Sequence, residues 1–172
     1  MKLCYCVSPV IIISTVVFVS SLNAQTLQTP VTRNKQFDFW VGDWELTWND
    51  TSKGSNTITL EMNSKVLYEH FKDPVNNFFG WSWSVYDSVH NKWKQTWVDN
   101  QGAYLDFVGQ MENGMMTLER SFTNKQGVFM KQRMVFYNIA KNSIDWRWES
   151  SSDGGRNWKL NWLIHYKRKK GT

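Results

Sequence analysis

The sequence predicts an all-β protein, a single antiparallel up-and-down β-barrel of about ten strands with a short N-terminal helix over one end. Three observations lead to this prediction. Apolar and polar residues alternate along most of the chain, short turns separate the alternating segments, and the 172 residues include 11 tryptophans, 10 phenylalanines and 6 tyrosines. A period of two is typical of strands with one buried face, and aromatic residues are enriched in strands.

Five segments show the alternation most clearly. Their predicted inward residues are Trp44, Leu46 and Trp48; Ile58, Leu60 and Met62; Phe79, Trp81, Trp83 and Val85; Ile144, Trp146 and Trp148; and Trp158, Leu160, Trp162, Ile164 and Tyr166. Less regular strands are predicted at 66–72, 92–99, 103–110, 114–122 and 128–138. Together these segments give about ten strands.

Turn residues such as Asn113-Gly114 and Asp153-Gly154-Gly155 lie between the predicted strands. Connections this short join antiparallel neighbours, because parallel pairing needs a crossover of a dozen residues or more. Sequential hairpins leave two open edges unless the sheet closes, so a barrel is predicted, with a two-sheet sandwich as the alternative. The short helix is predicted at 34–41, with Asn34 as its N-cap.

The first 24 residues have the composition of a secretory signal peptide. A basic residue, Lys2, precedes a nearly unbroken apolar run at 7–19, and Ala24 supplies a small residue for cleavage. The run is shorter than the roughly 20 residues of a membrane-spanning helix. We therefore expect a periplasmic or secreted protein without a stable membrane anchor after cleavage. The predicted organisation is signal peptide 1–24, linker 25–36, barrel 37–168 and basic tail 169–172.

Charge and cysteine content narrow the expected partners. The formal net charge is +5, but the basic residues cluster at 167–170 near the C-terminus instead of covering a face or groove, so no nucleic-acid partner is predicted. The two cysteines, Cys4 and Cys6, precede the predicted cleavage site. The mature protein is therefore expected to have no disulfide and no cysteine metal ligand. The oligomeric state stays open.

One stretch of the sequence carries a family resemblance. Residues 37–44, Phe-Asp-Phe-Trp-Val-Gly-Asp-Trp, resemble the opening of a family of uncharacterised bacterial exported proteins that begin with Phe-Trp-x-Gly-x-Trp. The similarity continues at 80–87, 92–99, 151–158 and 166–168. This family is similar to the lipocalins and other calycins, with nitrobindins as distant relatives. The resemblance implies a barrel with an interior cavity and no particular activity.

A second motif lies at 151–158, where Ser-Ser-Asp-Gly-Gly-Arg-Asn-Trp fits the pattern Ser-x-Asp-x-Gly-x-x-Trp. This pattern resembles the Asp box of sialidase propellers, which is a structural hairpin. We predict that Asp153 accepts backbone hydrogen bonds across the turn and that Trp158 packs beneath it. Contact with a carbohydrate is the alternative.

The candidate ligand-binding residues combine large aromatic area with a few polar groups within the strands, as ligand pockets do. They are Trp81, Trp83, Trp93, Gln95, Trp97, Asp99, Trp146, Trp148 and Glu69. The predicted function is to bind a small hydrophobic molecule inside the barrel. One alternative is an enzyme acting on a lipid or isoprenoid-like substrate, with Glu69, Gln95 or Asp99 in acid–base roles. Another is a structural protein with a filled core.

No cofactor, metal site or catalytic residue is predicted. The histidines are not spaced like a zinc site. Nitrobindins hold haem through a late histidine, which makes a haem-binding nitrobindin-like barrel a further alternative with His165 as the ligand. However, His165 lies between Ile164 and Tyr166, so it is predicted to face outward. The nitrobindin opening Gly-x-Trp-x-Gly-x-Gly is matched only at Gly42 and Trp44.

Overall fold

In the computed structural model, which describes residue 1 and residues 32–49 and 52–170, ten antiparallel strands close into an up-and-down barrel. In chain order, β1 to β10 are Gly42–Trp48, Ser52–Glu61, Val66–Asp73, Phe78–Asp87, Lys92–Asp99, Tyr104–Glu112, Met115–Thr123, Phe129–Tyr137, Ser143–Ser151 and Lys159–Arg168. The predicted fold class is confirmed, and the sandwich is excluded because β1 pairs with β10. Apart from Met1, the predicted signal peptide and residues 25–31 lie outside the described residues.

The strand alternation places a hydrophobic core inside the barrel. In β1, Trp44, Leu46 and Trp48 are buried, while the residues between them are exposed. The tight turn after β6 has positive φ at both central residues, 49° at Asn113 and 76° at Gly114. Two positive φ angles match the type I′ turn that suits the twist of a two-residue hairpin.

The predicted N-terminal helix is instead two short 3₁₀ helices, Arg33–Lys35 and Asp38–Trp40. Phe37, between them, has φ −101° and ψ 0°, which interrupts any continuous α-helix. The N-cap position of the first helix is Thr32, and not Asn34 as predicted. The prediction of a short N-terminal helix over one end of the barrel is therefore confirmed, and the helix consists of two 3₁₀ turns.

Phe37 and Trp40 pack into one end of the barrel, and we call this pair the plug. Their rings are stacked with centroids 5.1 Å apart. Phe37 also meets Trp93 of β5 and Phe136 of β8 edge-on, at 5.4 and 5.2 Å. Because two strands separate β5 from β8 in the barrel, these contacts place the plug inside the barrel at this end.

Arg168 forms hydrogen bonds with the segment that connects the plug to β1. Its guanidinium donates to the backbone oxygens of Val41 at 2.7 Å and Phe39 at 3.2 Å, and lies 4.0 Å above the ring of Trp44. Gly42 leaves the room that this arrangement needs, since a Cβ there would lie 2.1 Å from the guanidinium, and its φ is 131°. The last residue of β10 thus holds the entry to β1.

The turn between β9 and β10 has the predicted structure. Asp153 Oδ1 accepts from the backbone N–H groups of Arg156 and Asn157, both at 3.0 Å, and from the Ser151 hydroxyl at 2.7 Å. Hydrogen bonds from Asn157, Ser151 and Arg156 hold the pKa of Asp153 well below its usual range. Trp158 lies against Gly155. The prediction of a structural turn is confirmed.

Three predicted inward residues at strand ends are wrong. Trp158 precedes β10, and its ring lies 3.9 Å from the guanidinium of Arg133. Met62 belongs to the turn after β2, with φ 50°, and is exposed. Leu160 is also exposed, because the pairing of β10 with β9 shifts between Leu160 and Trp162. A bulge of this kind reverses the side-chain parity along a strand, which a regular period of two does not anticipate.

Candidate functional site

The barrel contains a cavity of about 230 Å³. Ten of its lining residues are aromatic, three are aliphatic and three carry a carboxyl or amide group. They are Trp40, Phe71, Phe78, Trp97, Phe107, Phe136, Trp146, Trp148, Trp162 and Tyr166; Leu105, Met134 and Ile164; and Glu69, Gln95 and Asp99. An apolar protein cavity of about 150 Å³ binds benzene. The cavity here is therefore large enough for a somewhat larger organic molecule.

Six of the nine predicted site residues line this cavity, namely Glu69, Gln95, Trp97, Asp99, Trp146 and Trp148. The indoles are held by edge-on contacts with other wall residues. Trp146 meets Trp162 at a centroid distance of 6.0 Å, and Trp148 meets Phe107 at 5.7 Å. Edge-to-face packing of this kind fixes ring orientation, so these walls are well defined.

Trp81 and Trp83 are on the outer surface, so the predicted orientation of β4 is wrong. Their side chains are 43% and 39% exposed, and they stack against His70 and Tyr68 of β3. The inward positions belong to Gly80, Ser82 and Ser84.

Small residues face inward on β4 for two reasons. A Cβ on Gly80 would lie 2.2 Å from Trp97, so the large indole of β5 needs a glycine where it crosses β4. Ser82 and Ser84 face inward to bond polar side chains of the neighbouring strands. Trp81 and Trp83 therefore do not belong to the cavity.

Trp93 faces inward as predicted but does not line the cavity. It is 1% exposed, packs against Phe37, and its indole Nε1 donates to the backbone oxygen of Arg33 at 3.2 Å. These contacts make Trp93 part of the support around the plug.

A set of polar side chains crosses β2 to β5 on one side of the interior. We call Asn56, Glu69, Ser82, Ser84 and Gln95 the polar wall. Asn56 Nδ2 donates to Glu69 Oε1 at 2.7 Å, and the Ser82 hydroxyl donates to Glu69 Oε2 at 2.5 Å. Gln95 Nε2 donates to the Ser84 hydroxyl oxygen at 2.9 Å. All five side chains are buried.

Glu69 is the central group of the polar wall. Burial raises the pKa of its carboxyl to about 7, although the hydrogen bonds from Ser82 and Asn56 oppose the rise. Within the described residues it has no ion-pair partner. A buried carboxylate without a counter-charge is costly, which is the physical reason for the raised pKa.

Tyr166 connects β10 to the polar wall. Its hydroxyl oxygen accepts from Asn56 Nδ2 at 3.3 Å, and the phenol lines the cavity. Burial raises the pKa of Tyr166 far above its ordinary value, and the charge of Glu69 adds to the rise. The phenol therefore stays neutral and keeps its proton as a donor.

Asp99 has a structural task at the end of β5. Its Oδ1 accepts from the backbone N–H groups of Gln101 and Ala103, and its Oδ2 accepts from Trp97 Nε1 at 3.0 Å. The carboxylate thus forms the turn into β6 and orients the Trp97 indole. Because Asp99 and Glu69 have separate partners, the two cavity carboxyls do not form the hydrogen-bonded pair that the enzyme alternative would favour.

Several residues of the cavity lining and of the polar wall were not among the predicted site residues. Asn56 could have been noticed, since it is a polar residue at the inward parity of β2, two positions before Ile58. Tyr166 was predicted to face inward but not to take part in the site. Trp40 and Phe107 gave no local signal, because their roles depend on where distant strands meet.

The residues that line the cavity do not support a haem site or a metal site. His165 is on the outer face as predicted, with Nδ1 2.6 Å from Asp145 Oδ1. The cavity-lining residues include no histidine, so the cavity offers haem no imidazole ligand. In the described residues, no group of three or more metal-ligating side chains is arranged to hold an ion. The same part of the chain contains no helix long and apolar enough to cross a membrane.

Comparison with models of known protein families and with curated proteins finds no match for this chain.

Proposed function

We propose that this protein is an exported binding protein that holds one small, largely apolar molecule inside its barrel. The observation that supports the proposal is the cavity of about 230 Å³, whose walls are mostly aromatic with a few polar groups. Ligand pockets have this composition because the apolar surface supplies affinity and the polar groups fix orientation.

An enzymatic role is the second candidate, and the observation in its favour is the Glu69 pKa of about 7, which suits a general acid or base. Both oxygens of Glu69 already hold hydrogen bonds to Asn56 and Ser82. Among the lining residues that the structure describes, the only other titratable groups are Asp99, which forms a turn, and Tyr166. Binding without turnover therefore fits the arrangement better.

Native mass spectrometry of protein recovered from its own periplasm or culture medium tests the proposal. We expect a mass above that of the polypeptide, and we expect the excess to disappear when the protein is denatured. Leu105→Trp adds an indole to the cavity and is expected to lose the bound mass. Trp81→Ala alters the outer face and is expected to keep it. A bare polypeptide mass in the wild type, or equal retention by both variants, would contradict binding in the cavity.

The same spectra test export. If the leader is removed after Ala24, the mature chain begins Gln25-Thr26-Leu27 and the polypeptide mass corresponds to residues 25–172. A chain that keeps Met1 and fractionates with membranes would show that the leader is not cleaved. That result would leave the binding proposal in place, because the barrel does not include the first 24 residues.

A further inference from the structure

The cavity has an uneven charge distribution. Among its 16 lining residues, Glu69 and Asp99 are acidic, and none is a lysine, arginine or histidine. The chain as a whole is basic, with 20 Lys and Arg against 15 Asp and Glu. One basic residue, Arg120, is at the inward parity of β7, where it donates to Gln132 Oε1 at 2.9 Å, but it is not among the lining residues. The described lining of the cavity therefore presents only negative or neutral groups to a ligand.

Glu69 is the acid that lacks compensation. Its side chain faces Asn56 of β2, Ser82 of β4 and Tyr166 of β10, all of which are uncharged. Asp99, in contrast, is neutralised locally by two backbone N–H groups and an indole N–H. Buried charges are normally paired. A cation bound in the cavity would supply the charge partner that Glu69 lacks among the described residues.

The surrounding rings suit a positive charge. Ten aromatic side chains line the cavity, and five of them are tryptophans. The face of an aromatic ring carries negative electrostatic potential, strongest for tryptophan, and cages of such rings are a known means of binding quaternary ammonium groups. An anionic head group would meet Glu69 and the ring faces, and both would repel it.

We propose that the ligand is an organic cation with an apolar body, its charge beside Glu69 and its body among the aromatic rings. This inference rests on the proposed function and adds the ligand's chemical class. Phenyltrimethylammonium and tert-butylbenzene make a sharp test, because they have the same shape and differ by one positive charge. Calorimetric titration at pH 8 is expected to show at least tenfold tighter binding of the cation.

Two variants separate the charge of Glu69 from the general charge of the protein. Glu69→Gln is expected to abolish the preference for the cation and to keep the affinity for tert-butylbenzene. Glu45→Gln makes the same change on the exposed face of β1 and is expected to keep the preference. At pH 6 about nine tenths of Glu69 is protonated in the free protein, so cation affinity should fall about tenfold from pH 8. Affinity for tert-butylbenzene should not change.

The possible outcomes distinguish a failure of the cation inference from a failure of the proposed binding function. If the wild type binds tert-butylbenzene as tightly as the cation or more tightly, the inference of a cationic ligand is wrong, and the proposed binding function stands. A cation preference that survives Glu69→Gln would also overturn it, since the charge would then not act through Glu69. If neither probe binds, both the inference and the proposed function are contradicted.

Discussion

Glu69→Gln is expected to stabilise the protein by about 3 kcal/mol at pH 8 and to leave its stability nearly unchanged at pH 4. The folded protein raises the pKa of Glu69 from 4.5 to about 7, and each pKa unit corresponds to about 1.4 kcal/mol. Because the folded state holds the proton of Glu69 more tightly than the unfolded state does, the contribution of this group to stability is fully present below pH 4.5. That contribution is lost as the pH rises through 7. Glutamine carries no charge, so the Glu69→Gln variant loses no stability at this site as the pH rises.

Urea unfolding at a series of pH values measures this difference. Glutamine can accept from Asn56 and donate to Ser82, so the packing and most hydrogen bonds of the polar wall are kept. Glu45→Gln, an exposed acid on β1, serves as the matched control and is expected to follow the wild type at every pH. If the free-energy difference between Glu69→Gln and the wild type did not change between pH 4 and pH 8, Glu69 would not be buried without a counter-charge.

Phe37→Ala is expected to lower the free energy of unfolding by about 3 to 5 kcal/mol. Phe37 is 0% exposed and contacts the rings of Phe39, Trp40, Trp93 and Phe136. Removing a fully buried phenylalanine loses its transfer free energy and leaves a cavity that rigid neighbours fill poorly. The plug should therefore be part of the cooperative fold.

Phe79→Ala is the control for this substitution, because Phe79 is 42% exposed on the outer face of β4. It is expected to cost less than about 1 kcal/mol, in the range of partly exposed positions. Denaturant unfolding of both variants gives the comparison. Equal losses for Phe37→Ala and Phe79→Ala would mean that the 3₁₀ segment is only loosely attached to the barrel.

The barrel could be predicted from the sequence because the relevant signals are local. Alternation marks each strand within a few residues, and turns such as Asn113-Gly114 mark the ends. The Asp153 turn was predictable in detail for the same reason, since its hydrogen bonds join residues no more than four positions apart. Closure then follows from the need to pair both sheet edges.

Orientation within β4 could not be predicted from its own residues. Alternation defines two faces but does not say which one is buried, and hydrophobicity favoured Trp81 and Trp83. The decision depends on neighbours: Trp97 fills the space at Gly80, and Glu69 and Gln95 need the hydroxyls of Ser82 and Ser84.

The polar wall was also hidden from sequence inspection. Asn56 and Tyr166 are 110 positions apart in the chain, yet their side chains meet because barrel closure pairs β10 with β1, whose other neighbour is β2. Glu69, Gln95 and Asp99 were identified as candidates, but their separate roles follow from distances between strands. Asp99 shapes a turn and Glu69 is the buried acid.

A crystal structure of the protein soaked with bromobenzene most directly tests whether the interior accepts a small molecule. Bromine can be located by its anomalous scattering without assumptions about the shape of the ligand. We predict one strong bromine peak inside the barrel, among Trp97, Phe107 and Trp146. Peaks confined to the exposed rings of Trp81 and Trp83, with no bromine inside the barrel, would contradict a binding cavity and favour a barrel with a filled core.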